Sequence, residues 1–257
     1  MQEKHAILMV NYKTLALTSR CLDLIKQNLD LNQYDVWVVD NHSNDESTDY
    51  LRGLDWIHLL ERHTDQVEKG FESHGKALDF AFDKIKNRYV YLLHTDTFIY
   101  DASILQLMFS NMQQDNRVVA VGCYEQVLRH PLATPWRRVI RFLKLYKRVI
   151  LNGLGIPTRP PRGFYEKYIK SFCALWDLQK VKQYGFSFYM AEKIPTYELQ
   201  DKMQALGYKI IGIKPSVIFQ YLDHVEAGTV SLKENLPSHH RRIKRKQKFL
   251  SAEASSK

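Results

Sequence analysis

Along the first hundred residues the hydrophobic pattern switches between two periods. HAILMVNY (His5–Tyr12) and YDVWVVDN (Tyr34–Asn41) are short apolar runs rich in β-branched residues, and each closes on Asn or Asp or just beyond it. Between them LTSRCLDLIKQNL spaces its apolar residues three and four apart, the period of a helix. The three segments predict a βαβ unit. A third strand is expected over Trp56–Leu60, a helix around His74–Lys86, and a fourth strand at Tyr89–His94. VVAVGCY (Val118–Tyr124) reads as a further strand, and SFCALWDLQKVKQYG changes from strand to helix near Trp176. TYELQDKMQAL is a helix stopped at Gly207, and YKIIGIKPSVIFQYLDH a last strand ending at His224. Nearly continuous apolar strands separated by helices predict an α/β chain with a mainly parallel sheet covered on both faces.

In such sheets ligands bind at the carboxyl ends of the strands, which is where Asn11, Asp40 and Asp96 fall. The fourth strand, YVYLLHTDTFIY, runs apolar until His-Thr-Asp-Thr. A carboxylate there costs stability unless a base or a bound cation pairs with it; the plainer use is as a helix N-cap. VVDNHSND likewise suits an Asx-turn as well as a binding loop. In VEKGFESHGKALDFA (Val67–Ala81) Gly70 and Gly75 permit close backbone approach; the segment suits either a plain helix-start loop or one from which Lys76 reaches a phosphate.

Composition narrows the classes. With 45% hydrophobic and 12% aromatic residues in 257, the chain is not a disordered one. Cys21, Cys123 and Cys173 lie far apart with no CxxC spacing, which excludes a zinc knuckle and points to reduced packing residues. No apolar run approaches the roughly 20 residues of a membrane span, and MQEKHAILMVNY passes straight into a strand, so a cytoplasmic protein is expected. The net charge of +9 is concentrated in Thr134–Leu154 and His239–Phe249. On a helical projection Val139, Phe142, Leu143, Tyr146 and Ile150 gather on one side, with the Arg and Lys residues largely around the other. That pattern suits a helix over 136–150 lying on an anionic membrane with Trp136 as anchor, reinforced by charge at 239–249. The alternative is a helix packed on the domain with snorkelling basic stems. A nucleic-acid partner is not expected: the chain carries no recognised motif for one, and rim carboxylates would repel it.

The motifs together resemble a GT-A glycosyltransferase of the large inverting family 2. ILMVNYKTLALTSRCLDLI and VWVVDNHSNDESTDYL are similar to that family's opening, YLLHTDTFI occupies the place of its D-x-D motif, and HVEAGT (His224–Thr229) is similar to its late H-x-x-x-G-S element. The resemblance implies a single GT-A domain, Rossmann-like with a mainly parallel mixed sheet. Residues 1–125 would bind the nucleotide sugar, 126–170 form a basic amphipathic insertion, 171–229 supply the acceptor and catalytic half, and 230–257 form a basic tail. It implies transfer of a sugar from a nucleotide diphosphate, UDP or dTDP by preference, to a hydroxyl of a glycan or lipid-linked glycan in cell-surface polysaccharide or lipopolysaccharide synthesis. Mn2+ or Mg2+ would assist, held by Asp96 with His224 as second ligand or diphosphate contact.

By the same resemblance, Asp40 would accept from a uracil or thymine imide, with Asn11 and Tyr12 lining that pocket and Asp45 in the following loop. Gly70, Lys76, His94 and Thr95 would border the nucleotide sugar. Two departures stand out: His94 replaces the first acid of D-x-D, and the helix before GYKI opens PTYELQDKM, which puts Thr196 or Glu198 where the base is expected. Glu198 is the first choice for the base, with Glu192 and Asp201 in reserve; inversion needs a carboxylate to take the acceptor proton. The competing classes are a nucleotidyltransferase making nucleotide sugars, opposed by the lack of glycine in VNYKTLALTS, and a degenerate GT-A binding protein without catalysis.

Overall fold

The computed structural model describes residues 3–225 apart from 67, 69, 129–132, 157, 159–165 and 192. The first half runs β1 (His5–Asn11), α1 (Leu15–Asn28), β2 (Tyr34–Asn41), α2 (Glu46–Arg52), β3 (Ile57–Arg62), α3 (Gly70–Phe82), β4 (Tyr89–His94) and β5 (Thr97–Ile99). Next come α4 (Ser103–Gln113), β6 (Val118–Gly122), α5 (Ala133–Gly153), β7 (Cys173–Asp177) and α6 (Leu178–Lys182). The last elements are α7 (Tyr197–Ala205), β8 (Lys209–Gly212), α8 (Pro215–Ile218) and β9 (Leu222–His224).

Among the described residues the main sheet has seven strands in the order β3-β2-β1-β4-β7-β6-β8. The first four are parallel; β7 is inserted antiparallel between β4 and β6, and β8 runs parallel to β6. Alternation along β1 divides the core between two faces. Ile7 and Met9 pack with Leu17, Leu22 and Ile25 of α1 and Met108 of α4. Ala6, Leu8 and Val10 pack with Ala77 and Leu78 of α3, Val181 of α6 and Leu199 of α7. Burial on both faces explains why β1 reads as an unbroken apolar run.

Three boundaries differ from the sequence reading. The third strand is Ile57–Arg62 and so carries two charged residues to the rim; α3 begins at Gly70 and stops at Phe82. The expected last strand is three elements, because Pro215 sits in the first turn of α8, where its missing N–H costs nothing and its fixed φ favours the turn. Gly207, at φ 84°, ends α7 as anticipated.

A small second sheet pairs β5 with β9 antiparallel, setting Thr97 opposite His224. Near α3, a Cβ on Gly75 would lie 2.6 Å from the Tyr189 ring, so only glycine lets the helix approach the segment at 186–191. Asp79 secures that approach by accepting from the Phe188 N–H at 2.8 Å and the Tyr189 N–H at 3.2 Å.

Candidate functional site

Two polar assemblies meet the carboxyl ends of β1, β2 and β4. The first is centred on Asn11, which lies opposite Asp40 in the β1–β2 register. The Asn11 amide donates to Asp40 Oδ1 at 2.7 Å, Ser47 Oγ at 2.9 Å and Ser43 Oγ at 3.2 Å, while its oxygen accepts from Thr18 at 2.7 Å. Asp40 Oδ2 accepts from Thr48 Oγ1 at 3.0 Å and the Ser43 N–H at 3.2 Å. Asn11 and Asp40 are 0% and 2% exposed, so their hydrogen bonds are essential to a buried position. Each Asp40 oxygen already accepts within the fold. Asp45 is engaged as the N-cap of α2, accepting from the Ser47 N–H at 3.0 Å.

The loops here store backbone strain. Lys13, His42 and Asn44 have φ of 52°, 60° and 48°, and Ala191 and Thr196, ahead of α7, have 52° and 70°. Side chains with a Cβ adopt this region at a cost, and such positions gather where a loop is held for binding.

Sequence reasoning missed a neighbouring lattice. Arg62 donates to Asn41 Oδ1 at 2.7 Å and grips Glu68 with two bonds of 2.6 and 2.9 Å, and Asn41 donates to Ser73 Oγ at 2.8 Å. Lys76 lies 3.2 Å from Glu68 and 2.9 Å from Glu72. The Arg62 hydrogen bonds hold the Glu68 carboxyl down at about 2. Gly70 is exposed with open space around it. The signal for this lattice lay in β3 continuing to Glu61-Arg62.

The second assembly is His94, Asp96 and His224, whose ligating atoms all lie within 4.8 Å of one another. His94 ends β4, and Thr95 and Asp96, both buried, form the turn into β5. β9 brings His224 back from 128 residues later in the chain, with Nε2 3.2 Å from Asp96 Oδ1. Its Nδ1 is 2.8 Å from the Gln126 carbonyl oxygen, which only accepts, so Nδ1 carries a proton and Nε2 is the nitrogen that faces the carboxylate. The Phe172 ring stacks on His224 at 4.6 Å. His94 places Nδ1 3.9 Å from Asp96 Oδ1 and Nε2 3.0 Å from Ser171 Oγ. His74 of α3 stands edge-on to His94 at 5.3 Å. Burial pushes the imidazoles of His94 and His74 down to about 3 and 4.

A ring held by its far nitrogen to a backbone carbonyl, with the near nitrogen beside a carboxylate, is how a histidine is oriented for a metal. The donor set fits a divalent cation: octahedral bonds near 2.1 Å place neighbouring ligand atoms roughly 3 Å apart.

The expected base lies outside this cluster. Glu198, in the first turn of α7, pairs with Lys193, and Asp201 pairs with Lys167 at 2.6 Å and accepts from Tyr168 at 2.7 Å. Thr196 is buried, and Glu192 lies outside the described residues. Tyr12 is half-buried beside the Asn11 assembly, with Lys13 Nζ 5.8 Å from its ring centroid.

A mainly parallel mixed sheet with a metal-compatible cluster at its carboxyl rim is the arrangement of GT-A glycosyltransferases, and the comparisons agree. The family model for glycosyl transferase family 2 matches residues 6–172, about two thirds of the chain, so the chain belongs to that family. Among solved structures it is similar to the mannosyltransferase PcManGT from Pyrobaculum calidifontis in complex with GDP-Man and Mn2+. The TM-score is 0.57 at 17% identity, over 83% of this chain and 55% of that one. The glucosyl-3-phosphoglycerate synthase from Mycobacterium tuberculosis in complex with phosphoglyceric acid has a TM-score of 0.54 at 14% identity, over 83% and 70%. Residues 1–349 of S. aureus TarS give 0.53 at 12%, over 93% and 68%. The chain thus spans little more than half the length of the mannosyltransferase. A search of curated proteins finds no match.

Proposed function

We propose that the chain transfers a sugar, with inversion, from a nucleotide diphosphate donor to a hydroxyl of a glycan or lipid-linked glycan in cell-surface polysaccharide or lipopolysaccharide synthesis. The observation that carries this reading is the His94–Asp96–His224 cluster at the rim of the sheet, beside the strained loops after β1 and β2. A divalent cation bound there, Mn2+ or Mg2+, supplies positive charge against the departing diphosphate. In this reading Asn11 and Asp40 hold the floor of the nucleotide pocket, Tyr12 and Thr95 line it, and Asp45 fixes the loop through its cap. Gly70 leaves room at the start of α3, and Lys76 turns toward phosphate from its present carboxylate partners. Glu198, which pairs with Lys193, takes the acceptor proton. The nucleotides named with the neighbouring structures, GDP-Man and UDP among them, set the search; a pyrimidine nucleotide is the first choice.

Helix α5 brings the enzyme to its acceptor. Its apolar side is exposed at Trp136, Val139, Phe142, Leu143, Tyr146 and Ile150, and its sequence holds six Arg or Lys and no Asp or Glu. The charge and the outward apolar face suit an anionic membrane surface. The basic segment 239–249 lies outside the described residues. Among the described residues no helix is long and apolar enough to cross a membrane.

Calorimetric titration with UDP, dTDP, GDP and CDP, with and without Mn2+, tests the donor site. One nucleotide binding only with Mn2+, and not to Asp96→Ala, is the expected result; no binding by any of them rejects the reading. Glu198→Gln should lower turnover about 10²–10⁴-fold at unchanged donor affinity. Turnover equal to wild type would remove Glu198 from the chemistry.

A further inference from the structure

We infer that His94 is a third protein ligand of the cation, and that the resulting site of two imidazoles and one carboxylate selects Co2+ or Zn2+ over Mg2+. This rests on the proposed function only in assigning the cation to the donor site.

The geometry treats the two histidines alike. Each has one nitrogen near Asp96 Oδ1, His224 Nε2 at 3.2 Å and His94 Nδ1 at 3.9 Å. Each has its other nitrogen against an oxygen able to accept a proton from the ring, the Gln126 carbonyl at 2.8 Å and the Ser171 hydroxyl at 3.0 Å. Those outer bonds are compatible with the tautomer that presents the near nitrogen of each ring to a cation beside Asp96. With bonds near 2.1 Å an octahedral ion holds its ligand atoms roughly 3 Å apart when adjacent and 4 Å when opposite. The observed 3.2 and 3.9 Å to Asp96 lie near that pair of spacings, and all three ligating atoms lie within 4.8 Å of one another.

The frame around the rings is stiff. Phe172 stacks on His224, and the Phe172 carbonyl accepts from the His94 N–H at 3.2 Å and from Thr97 Oγ1 at 3.0 Å. The Val225 N–H donates to the Asp96 carbonyl at 3.0 Å. Phe172 therefore positions both histidines, and Val225 positions Asp96.

Ligand chemistry then decides the ion. Mg2+ binds oxygen and parts reluctantly with water, whereas imidazole favours the later first-row ions. An acid at position 94 would give an oxygen-rich pair open to Mg2+; the imidazole removes that option.

The test is pulsed EPR of Mn2+ bound to the protein, with and without saturating UDP, alongside titrations with Co2+ and Mg2+. Nitrogen couplings from two imidazoles are expected in the wild type and from one in His94→Ala, with Co2+ affinity falling at least tenfold in that variant. His94→Asp should narrow the preference for Co2+ over Mg2+ at least tenfold. Melting temperatures of both variants within a few degrees of wild type establish that they fold. Two imidazole couplings retained in His94→Ala, unchanged metal preference in His94→Asp, or no metal bound in either condition would overturn the inference. If the couplings appear as expected but UDP and the other nucleotides fail to bind, the inference stands and the donor reading falls.

Discussion

At the rim of the sheet Asn11, Asp40, Ser43, Ser47 and Thr48 are polar and buried; along α5 Trp136, Leu143 and Ile150 are apolar and 66%, 60% and 61% exposed. Both regions depart from the usual division of polar outside and apolar inside, in opposite directions. The rim offsets its burial cost internally, since each Asp40 oxygen and the Asn11 amide are satisfied by neighbours on α1, on α2 and in the loop before α2. Helix α5 leaves its apolar side half or more exposed at these positions, and Arg141 ties it inward through an ion pair with Glu166. A polar cluster satisfied by its own fold is prebuilt for a small ligand. An apolar stripe beside basic residues is left for a surface.

The contrast can be broken experimentally, and the largest effect is expected at the rim. Asn11→Ala removes the shared partner of Asp40, Ser43, Ser47 and Thr18 and should cost about 2–4 kcal/mol in urea unfolding. A loss below about 0.5 kcal/mol would mean that the rim is not self-supporting. On α5 the opposite signature is expected. Leu143→Glu with Ile150→Glu should leave the unfolding midpoint unchanged and reduce binding to phosphatidylglycerol-containing vesicles at least tenfold, about 1.4 kcal/mol. A lowered midpoint would show that this face packs on protein instead.

The smallest effect concerns Glu68, held near 2 by its Arg62 hydrogen bonds. A carboxylate whose folded value is depressed stabilises the fold fully above its ordinary value of 4.5 and loses that contribution as pH falls toward 2. Glu68→Gln should therefore cost on the order of 1 kcal/mol at pH 7, and the difference from wild type should shrink steadily below pH 4.5. A difference independent of pH would assign the effect to packing.

Local pattern was enough for β1, α1, β2 and β4, whose apolar periods survive because each strand is buried on both faces. It was also enough to mark Asn11, Asp40 and Asp96 as rim residues, since strand ends are defined within the segment itself. It could not foresee that β9 would pair with β5, or that β7 would enter the sheet antiparallel. Those pairings join segments far apart in sequence, and no local period encodes a distant partner. The same limit explains the site. His224 reaches Asp96 through the β5–β9 ladder, Gln126 and Ser171 orient the two imidazoles from separate loops, and Arg62 finds Asn41 and Glu68 only once β2 and β3 lie side by side. The sequence alone determined which residues arrive at the rim, because hydrophobic period sets where a strand ends. Only the tertiary structure decided which of them face one another, because that depends on strand order and on hydrogen bonds across the chain.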